Sequence, residues 1–166
     1  MPLDAREIPG NLGLVVFDVD GVLTDGRFWL SDDGVEMKAF NTLDGFGLRQ
    51  LLRAGLEVAV ISGRQSNAVQ KRMSELGVRH VILGCDDKVA AFKCLIHDLG
   101  VKAVHTAYVG DDISDIPLLR SVGLPIAVAN AVAEVKAECA LTTTASGGLG
   151  AVREICDLIL ASRNQE

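Results

Sequence analysis

Leu14-Val15-Val16-Phe17 runs directly into Asp18-Val19-Asp20-Gly21. Four consecutive apolar residues, with no polar alternate, suit a strand buried on both faces. Two carboxylates and a glycine follow at once. The pattern recurs downstream. The apolar run at 56–61 ends at Ser62-Gly63-Arg64, and 78–83 ends at Gly84-Cys85-Asp86-Asp87-Lys88. Residues 103–109 end at Gly110-Asp111-Asp112, and 125–128 is a fifth, shorter run. Amphipathic stretches at 45–54, 66–76, 88–99, 113–122 and 131–138 separate or follow these runs. A last helix is predicted over 149–161, with Val152, Ile155, Cys156 and Ile159 on one face. Two-sided strands alternating with helices predict a three-layer, Rossmann-like α/β fold, a parallel sheet with helices on both faces. Such sheets place their sites at the carboxyl ends of the strands, where every segment here is polar or rich in glycine.

One segment interrupts the alternation. In residues 26–40 an Asp32-Asp33-Gly34 turn joins two short β-prone arms, which predicts a small hairpin. Four of the seven aromatic residues (Phe28, Trp29, Phe40 and Phe46) lie in it or just after it.

The chain has 166 residues, 49% of them hydrophobic and 23% charged. That is one domain, 1–166, too apolar to be disordered and large enough to bury about 68–70% of its unfolded surface. It leaves no room for a separate lid. The net charge of −6 argues against a nucleic-acid or anionic-membrane binder. Cys85, Cys94, Cys139 and Cys156 stand far apart with no CxxC pair, which predicts buried free thiols. The first residues, Met-Pro-Leu-Asp-Ala-Arg-Glu, carry acids where a secretion signal needs bases. No run approaches the ~18 apolar residues of a membrane span. The expected location is the cytoplasm.

Asp18 and Asp20 stand close enough to repel, which calls for a cation. Asp111, Asp112 and Asp115 follow another strand. The aspartate loops contain no histidine or cysteine, so an all-oxygen site for a hard ion, Mg²⁺, fits better than zinc. Lys88 opens a helix beside the acids. Ser62-Gly63 leads from a strand toward a helix and offers a hydroxyl and backbone N–H groups to an anion. Each has an ordinary structural alternative: the Asp pair as a turn or cap, Ser62 as an N-cap, Lys88 as a solvated helix residue. Their occurrence at successive strand ends, where one fold gathers them, points to phosphoryl chemistry.

These residues carry a family resemblance. The stretch from Phe17 through Asp18-Val19-Asp20-Gly21-Val22-Leu23 to Thr24 resembles the first motif of the haloacid dehalogenase-like phosphatases. Ile61-Ser62-Gly63-Arg64 resembles the second motif, Lys88 the third, and Gly110-Asp111-Asp112-Ile113-Ser114-Asp115 the fourth. Thr24-Asp25-Gly26, the string from Lys38 to Gly45 and the string from Gly147 to Glu154 are similar to the capless sugar-acid branch. The resemblance implies Asp18 as nucleophile and Asp20 as general acid–base. It implies Mg²⁺ held by the Asp18 carboxylate, the Asp20 backbone carbonyl and Asp111. Lys88, Ser62 and Gly63 would hold phosphate, with Asp112 and Asp115 supporting the metal shell or Lys88. Arg64, either a ligand for a substrate carboxylate or a surface arginine, is grouped with Thr24 and Arg153 on the substrate side.

The implied substrate is a small sugar-acid phosphate, 3-deoxy-D-manno-octulosonate (KDO) 8-phosphate, the alternative being a nine-carbon, sialic-acid-like 9-phosphate. A receiver-like phospho-signalling module and a catalytically silent assembly subunit are readings of other classes. The chain departs from the branch at Leu149, which often has arginine there, and in a short tail after Ile159. Only 41 residues separate Asp20 from Ser62 and 24 separate Gly63 from Lys88, so no cap domain fits. The resemblance implies a homotetramer in which each hairpin covers a neighbour's site, with the clustered aromatics at the interface.

Overall fold

A computed structural model describes residues 8–163. Along the chain lie β1 (Leu14–Phe17), the hairpin strands β2 (Trp29–Leu30) and β3 (Glu36–Met37), α1 (Thr42–Arg53), β4 (Glu57–Ile61), α2 (Asn67–Leu76) and β5 (His80–Ile82). There follow α3 (Lys88–Leu99), β6 (Thr106–Gly110), α4 (Ile116–Leu119), β7 (Leu124–Ala127), α5 (Ala133–Glu138), β8 (Leu141–Thr142) and α6 (Ala151–Arg163). Six strands form one parallel sheet in the order β5-β4-β1-β6-β7-β8. The predicted two-sided burial holds in the central strands: all four residues of β1 are fully buried, as are Val58 to Ile61 of β4 and Ala107 to Val109 of β6, whereas β5, at the sheet edge, is only half-buried. α1 packs along α6 and touches α2, while α3 packs on α4 and α4 on α5, giving a helical layer on each face.

Strand register brings the functional segments to one edge. Phe17 lies opposite Val60 of β4 and Val109 of β6, and Val109 lies opposite Ile126 of β7. The loops after β1, β4 and β6 therefore emerge side by side. Chain order reverses here, with β4 and β5 on one side of β1 and β6 to β8 on the other, a geometry that opens a crevice at the reversal. Side chains fix where the helices start: Asn41 accepts from the Leu43 N–H at 2.8 Å, Ser66 caps α2 and Asp87 caps α3. Ser66, rather than Ser62, is thus the α2 cap.

The hairpin is present but short, with Trp29 paired to Met37 and Leu30 to Glu36. It and α1 fill the interval between Asp20 and Ser62, and α2 and β5 fill the next, with no cap. Three expectations differ. The helix predicted over 113–122 is a 3₁₀ turn (Ile113–Asp115) followed by the single turn of α4, which Pro117 starts. The strand predicted from 103 begins at Thr106, after a 3₁₀ turn over Ala103–His105. β8, with only two residues, carries too little pattern to read. No described helix is long and apolar enough to cross a membrane.

Candidate active site

Asp18, Lys88, Asp111 and Asp115 meet where β1 and β6 end. The Asp18 backbone N–H donates to the Val109 carbonyl at 3.0 Å, which pins the residue to the next strand. Lys88 is the first residue of α3, and its Nζ lies 3.1 Å from Asp18 Oδ1 and 2.7 Å from Asp115 Oδ1. Its side chain is only 10% exposed, so it is no solvated helix lysine. Asp115 is fully buried. Its Oδ1 also accepts from the Tyr108 hydroxyl at 2.6 Å, and its Oδ2 accepts from the Asp111 and Asp112 N–H groups at 3.0 and 3.2 Å. Both oxygens are thereby committed. Oxygens of Asp18, Asp111 and Asp115 lie within 4.8 Å of one another, but only Asp18 and Asp111 retain free lone pairs.

The electrostatics ask for a cation. Burial, then the charge of Asp115, pushes the Asp18 carboxyl up to about 7, although Lys88 pulls the other way. Burial, then Asp18 and Asp115, raises Asp111 to about 7 as well. Burial works against the Lys88 ammonium, but Asp18 and Asp115 outweigh it and raise its pKa. Asp111 Oδ1 is buried with no hydrogen-bond partner. A buried, orphaned carboxylate oxygen beside a second carboxylate fits a hard divalent cation held by oxygen.

One prediction follows for the metal-free protein. Carboxyls raised from 3.8 to about 7 bind protons more tightly folded than unfolded, so their contribution to stability grows as pH falls below about 7 and is lost as pH rises through it. Thermal unfolding in EDTA should show Tm rising between about pH 8 and about pH 5, with the increment from added Mg²⁺ largest at the alkaline end. A Mg²⁺ increment independent of pH would contradict it.

The other wall of the cleft is the segment after β4. Ser62 is buried, and its Oγ accepts from the Arg64 N–H at 3.3 Å. Ser62, Gly63, Arg64, Asp18, Asp20, Lys88, Asp111 and Asp112 all line one cleft of about 730 Å³. Asp112 is placed as the cap of the 3₁₀ turn, its Oδ1 accepting from the Ile113 N–H at 2.8 Å. The Asp20 carboxylate turns away from the acidic cluster, to Lys38 and Arg64.

Comparison with known proteins identifies the family. Residues 85–154 match the family described as haloacid dehalogenase-like hydrolase. The 3-deoxy-D-manno-octulosonate 8-phosphate phosphatase of Escherichia coli is 42% identical over 155 residues, covering 93% of this chain and 82% of that one. The chain belongs to the haloacid dehalogenase-like hydrolases, in the branch of these phosphatases. Among solved structures, the Moraxella catarrhalis enzyme in complex with magnesium, phosphate and KDO has a TM-score of 0.93 at 41% identity, over 97% of this chain and 92% of that one. The cobalt-bound Haemophilus influenzae enzyme has a TM-score of 0.91 at 39% identity, over 93% and 91%. A receiver-like or merely structural role falls with this membership.

Within this hydrolase fold, two expected substrate residues are placed elsewhere. Thr24 is fully buried, and its Oγ1 accepts from the Gly21 and Gly26 N–H groups at 3.4 and 3.2 Å. It shapes the loop that carries Asp20 and presents nothing to the cleft. Arg153 lies on α6, its Nε 2.8 Å from Asp157 and its guanidinium 5.1 Å from the Phe46 ring centre, and it does not line the cleft. The clustered aromatics also make contacts within the chain. Phe28 lies 4.2 Å from the Arg64 guanidinium, Phe40 packs on the core and Phe46 faces Arg153, all within one chain. Phe28, Trp29 and Phe46 nevertheless remain exposed, Trp29 most of all at 71%.

Lys38, Glu36 and Asn130 are not among the expected site residues, although Lys38 opens the 38–45 string that resembles the capless branch. Asn130 Nδ2 donates to the Gly21 carbonyl at 2.9 Å, and its Oδ1 accepts from the Gly147 N–H at 2.6 Å. The glycine pair 147–148 therefore serves backbone packing: a Cβ at Gly147 would overlap the Gly21 carbonyl. Gly21 itself has φ +87° and lies so close to Asp111 that a side chain there would displace its carboxylate.

Proposed function

We propose that this protein is a Mg²⁺-dependent phosphatase that hydrolyses a sugar-acid phosphate monoester, KDO 8-phosphate, to KDO and phosphate. The observation that carries the reading is the convergence of Asp18, Lys88 and the under-coordinated Asp111 on the cleft bounded by Ser62-Gly63. Asp18 Oδ2 or Oδ1 attacks phosphorus as the ester P–O bond breaks, giving an aspartyl-phosphate. Asp20 donates the proton to the departing sugar oxygen, then takes one from the water that attacks the intermediate and frees phosphate. Such acid–base help is typically worth about 10²–10⁴-fold. Asp18, the Asp20 carbonyl and Asp111 would hold Mg²⁺, which supplies charge neutralisation at the phosphoryl group when bound. Lys88, Ser62 and the Gly63 N–H receive the phosphoryl oxygens, so positioning and charge carry most of the acceleration. Asp115 orients Lys88 through their 2.7 Å contact. Arg64 is the residue for the sugar carboxylate, which a guanidinium binds in bidentate fashion.

The reading extends to assembly and location. Trp29, Leu30, Val35 and Met37 are more than half exposed on the hairpin, an apolar surface suited to a homotetramer in which hairpins cover neighbouring sites. The four cysteines are free, as suits the reducing cytoplasm, but only Cys156 is buried: Cys94 is exposed and Cys85 and Cys139 are half-buried.

Phosphate release across a panel of sugar-acid phosphates tests the substrate. KDO 8-phosphate should give the highest kcat/KM, and EDTA should abolish release until Mg²⁺ is restored. A nine-carbon 9-phosphate turned over more efficiently would move the assignment to that sugar, and release unaffected by EDTA would reject the metal role.

A further inference from the structure

Lys38 lies just after β3, on the returning arm of the hairpin. Residues 29–37 around it are mostly open to solvent, yet the Lys38 side chain has no exposure. A buried ammonium is tolerated only when paired. Its hydrogen-bond partner is Asp20 Oδ1, and Glu36 Oε1 lies 3.7 Å away. Glu36 in turn accepts from Arg64 at 2.6 Å and from the Ser66 hydroxyl at 2.8 Å. Both cations approach the Phe28 ring, whose centre lies 5.7 Å from Lys38 Nζ and 4.2 Å from the Arg64 guanidinium. Two cations and two carboxylates thus close a neutral network that clamps the hairpin onto its own subunit's cleft.

The two oxygens of Asp20 are treated differently. Oδ1 is held by Lys38. Oδ2 has Arg64 Nε as its nearest charged neighbour, at 3.9 Å, beyond hydrogen-bond range. An oxygen accepting from an ammonium is not the one that carries a proton, so the clamp selects Oδ2 as the atom that does.

We propose that Lys38 is a positioning residue for the reaction: by holding Asp20 Oδ1 it aims Oδ2 at the leaving oxygen, and it makes that aim depend on the hairpin being folded back. The inference rests on the acid–base role assigned to Asp20 above. In the first step Oδ2–H gives its proton to the sugar oxygen as the P–O bond breaks and the Asp18 O–P bond forms. In the second step Oδ2 takes a proton from the attacking water. Lys38 keeps its protons throughout.

The test compares two leaving groups in the first half-reaction alone, read as sugar or nitrophenolate released in a single turnover, because hydrolysis of the aspartyl-phosphate is common to both. A sugar alkoxide needs a proton to depart, whereas the nitrophenolate of p-nitrophenyl phosphate does not. Lys38→Met should slow single-turnover release of the sugar about 10–100-fold, the usual effect of a small misplacement, with KM and the single-turnover release of nitrophenolate within about threefold of the parent. Lys38→Arg, which restores a cation, should recover part of the loss. Lys38→Gln, which keeps a donor for Oδ1, should show the same selectivity and serves if the methionine variant does not fold. Equal losses on both substrates, as for a simple structural pin, would overturn the proposal, as would parental rates on both. Asp20→Asn separates the two readings. If its loss is selective for the sugar substrate while that of Lys38→Met is not, the Lys38 role alone falls. If its loss is equal on both, the Asp20 assignment falls and the Lys38 role with it.

Discussion

Asp18→Asn should abolish turnover in a protein that folds at least as well as the parent. The amide has nearly the shape of the carboxyl but cannot attack phosphorus, and loss of a covalent nucleophile costs about 10⁴–10⁶-fold in kcat. Stability should move the other way. Without metal, burial and the Asp115 charge raise Asp18 to about 7, so its ionised form is a burden on the fold above that pH. Asparagine removes that burden, while Lys88 keeps its 2.7 Å contact to Asp115. In EDTA at about pH 8 the variant should unfold at an equal or higher temperature than the parent, and Mg²⁺ should raise its Tm less, because one ligand is gone. Phosphate-release assays and thermal unfolding with and without Mg²⁺ read both quantities. Full activity would remove Asp18 as nucleophile. An undiminished Mg²⁺ increment would remove it as a metal ligand.

What the sequence disclosed follows the range of the interactions involved. β1, β4 and β6 could be read because burial on both faces leaves an unbroken apolar run, and parallel register then fixes the polar residues after them at one edge. Asp18, Ser62, Lys88 and Asp111 are therefore recoverable from local pattern plus topology. Lys38 and Glu36 are not, because their placement depends on how strands of two residues each fold back over the cleft. Thr24 shows the opposite failure. It sits inside a motif rich in functional residues, yet its hydroxyl is spent on the Gly21 and Gly26 N–H groups. Proximity in sequence to a catalytic residue does not separate a ligand from a loop brace, whereas burial does. The glycine pair 147–148 is similar: the strand-end pattern cannot reveal that it lies against the loop after β1, more than a hundred residues away.

Lys88→Met tests whether one cation serves both fold and chemistry. The substitution keeps the apolar stem and removes the charge between Asp18 and Asp115, at 3.1 and 2.7 Å. Removing one partner of a buried ion pair typically costs about 3–5 kcal/mol, because the other charge is left unpaired. Here Asp18, and Asp111 beside it, can escape by taking protons. Lys88 lowers the pKa of Asp18 and of Asp111, so its loss raises both above their present values of about 7. A folded-state pKa raised further means a penalty that is full at alkaline pH and relieved as pH falls through it. The Tm deficit should therefore be largest above about pH 8 and shrink toward about pH 5, and Mg²⁺ should also reduce it by neutralising the same carboxylates. Activity should not follow. Low pH protonates the nucleophile, and Mg²⁺ cannot replace the ammonium that meets the phosphoryl oxygens, so kcat should stay down by about 10³-fold or more under every condition that restores Tm. Lys88→Arg should fare little better, since a planar guanidinium does not occupy the place of a compact ammonium between two carboxylates. Recovery of kcat in parallel with Tm would make Lys88 a structural counter-ion only, and a Tm deficit equal at both ends of the pH range would refute the proton escape.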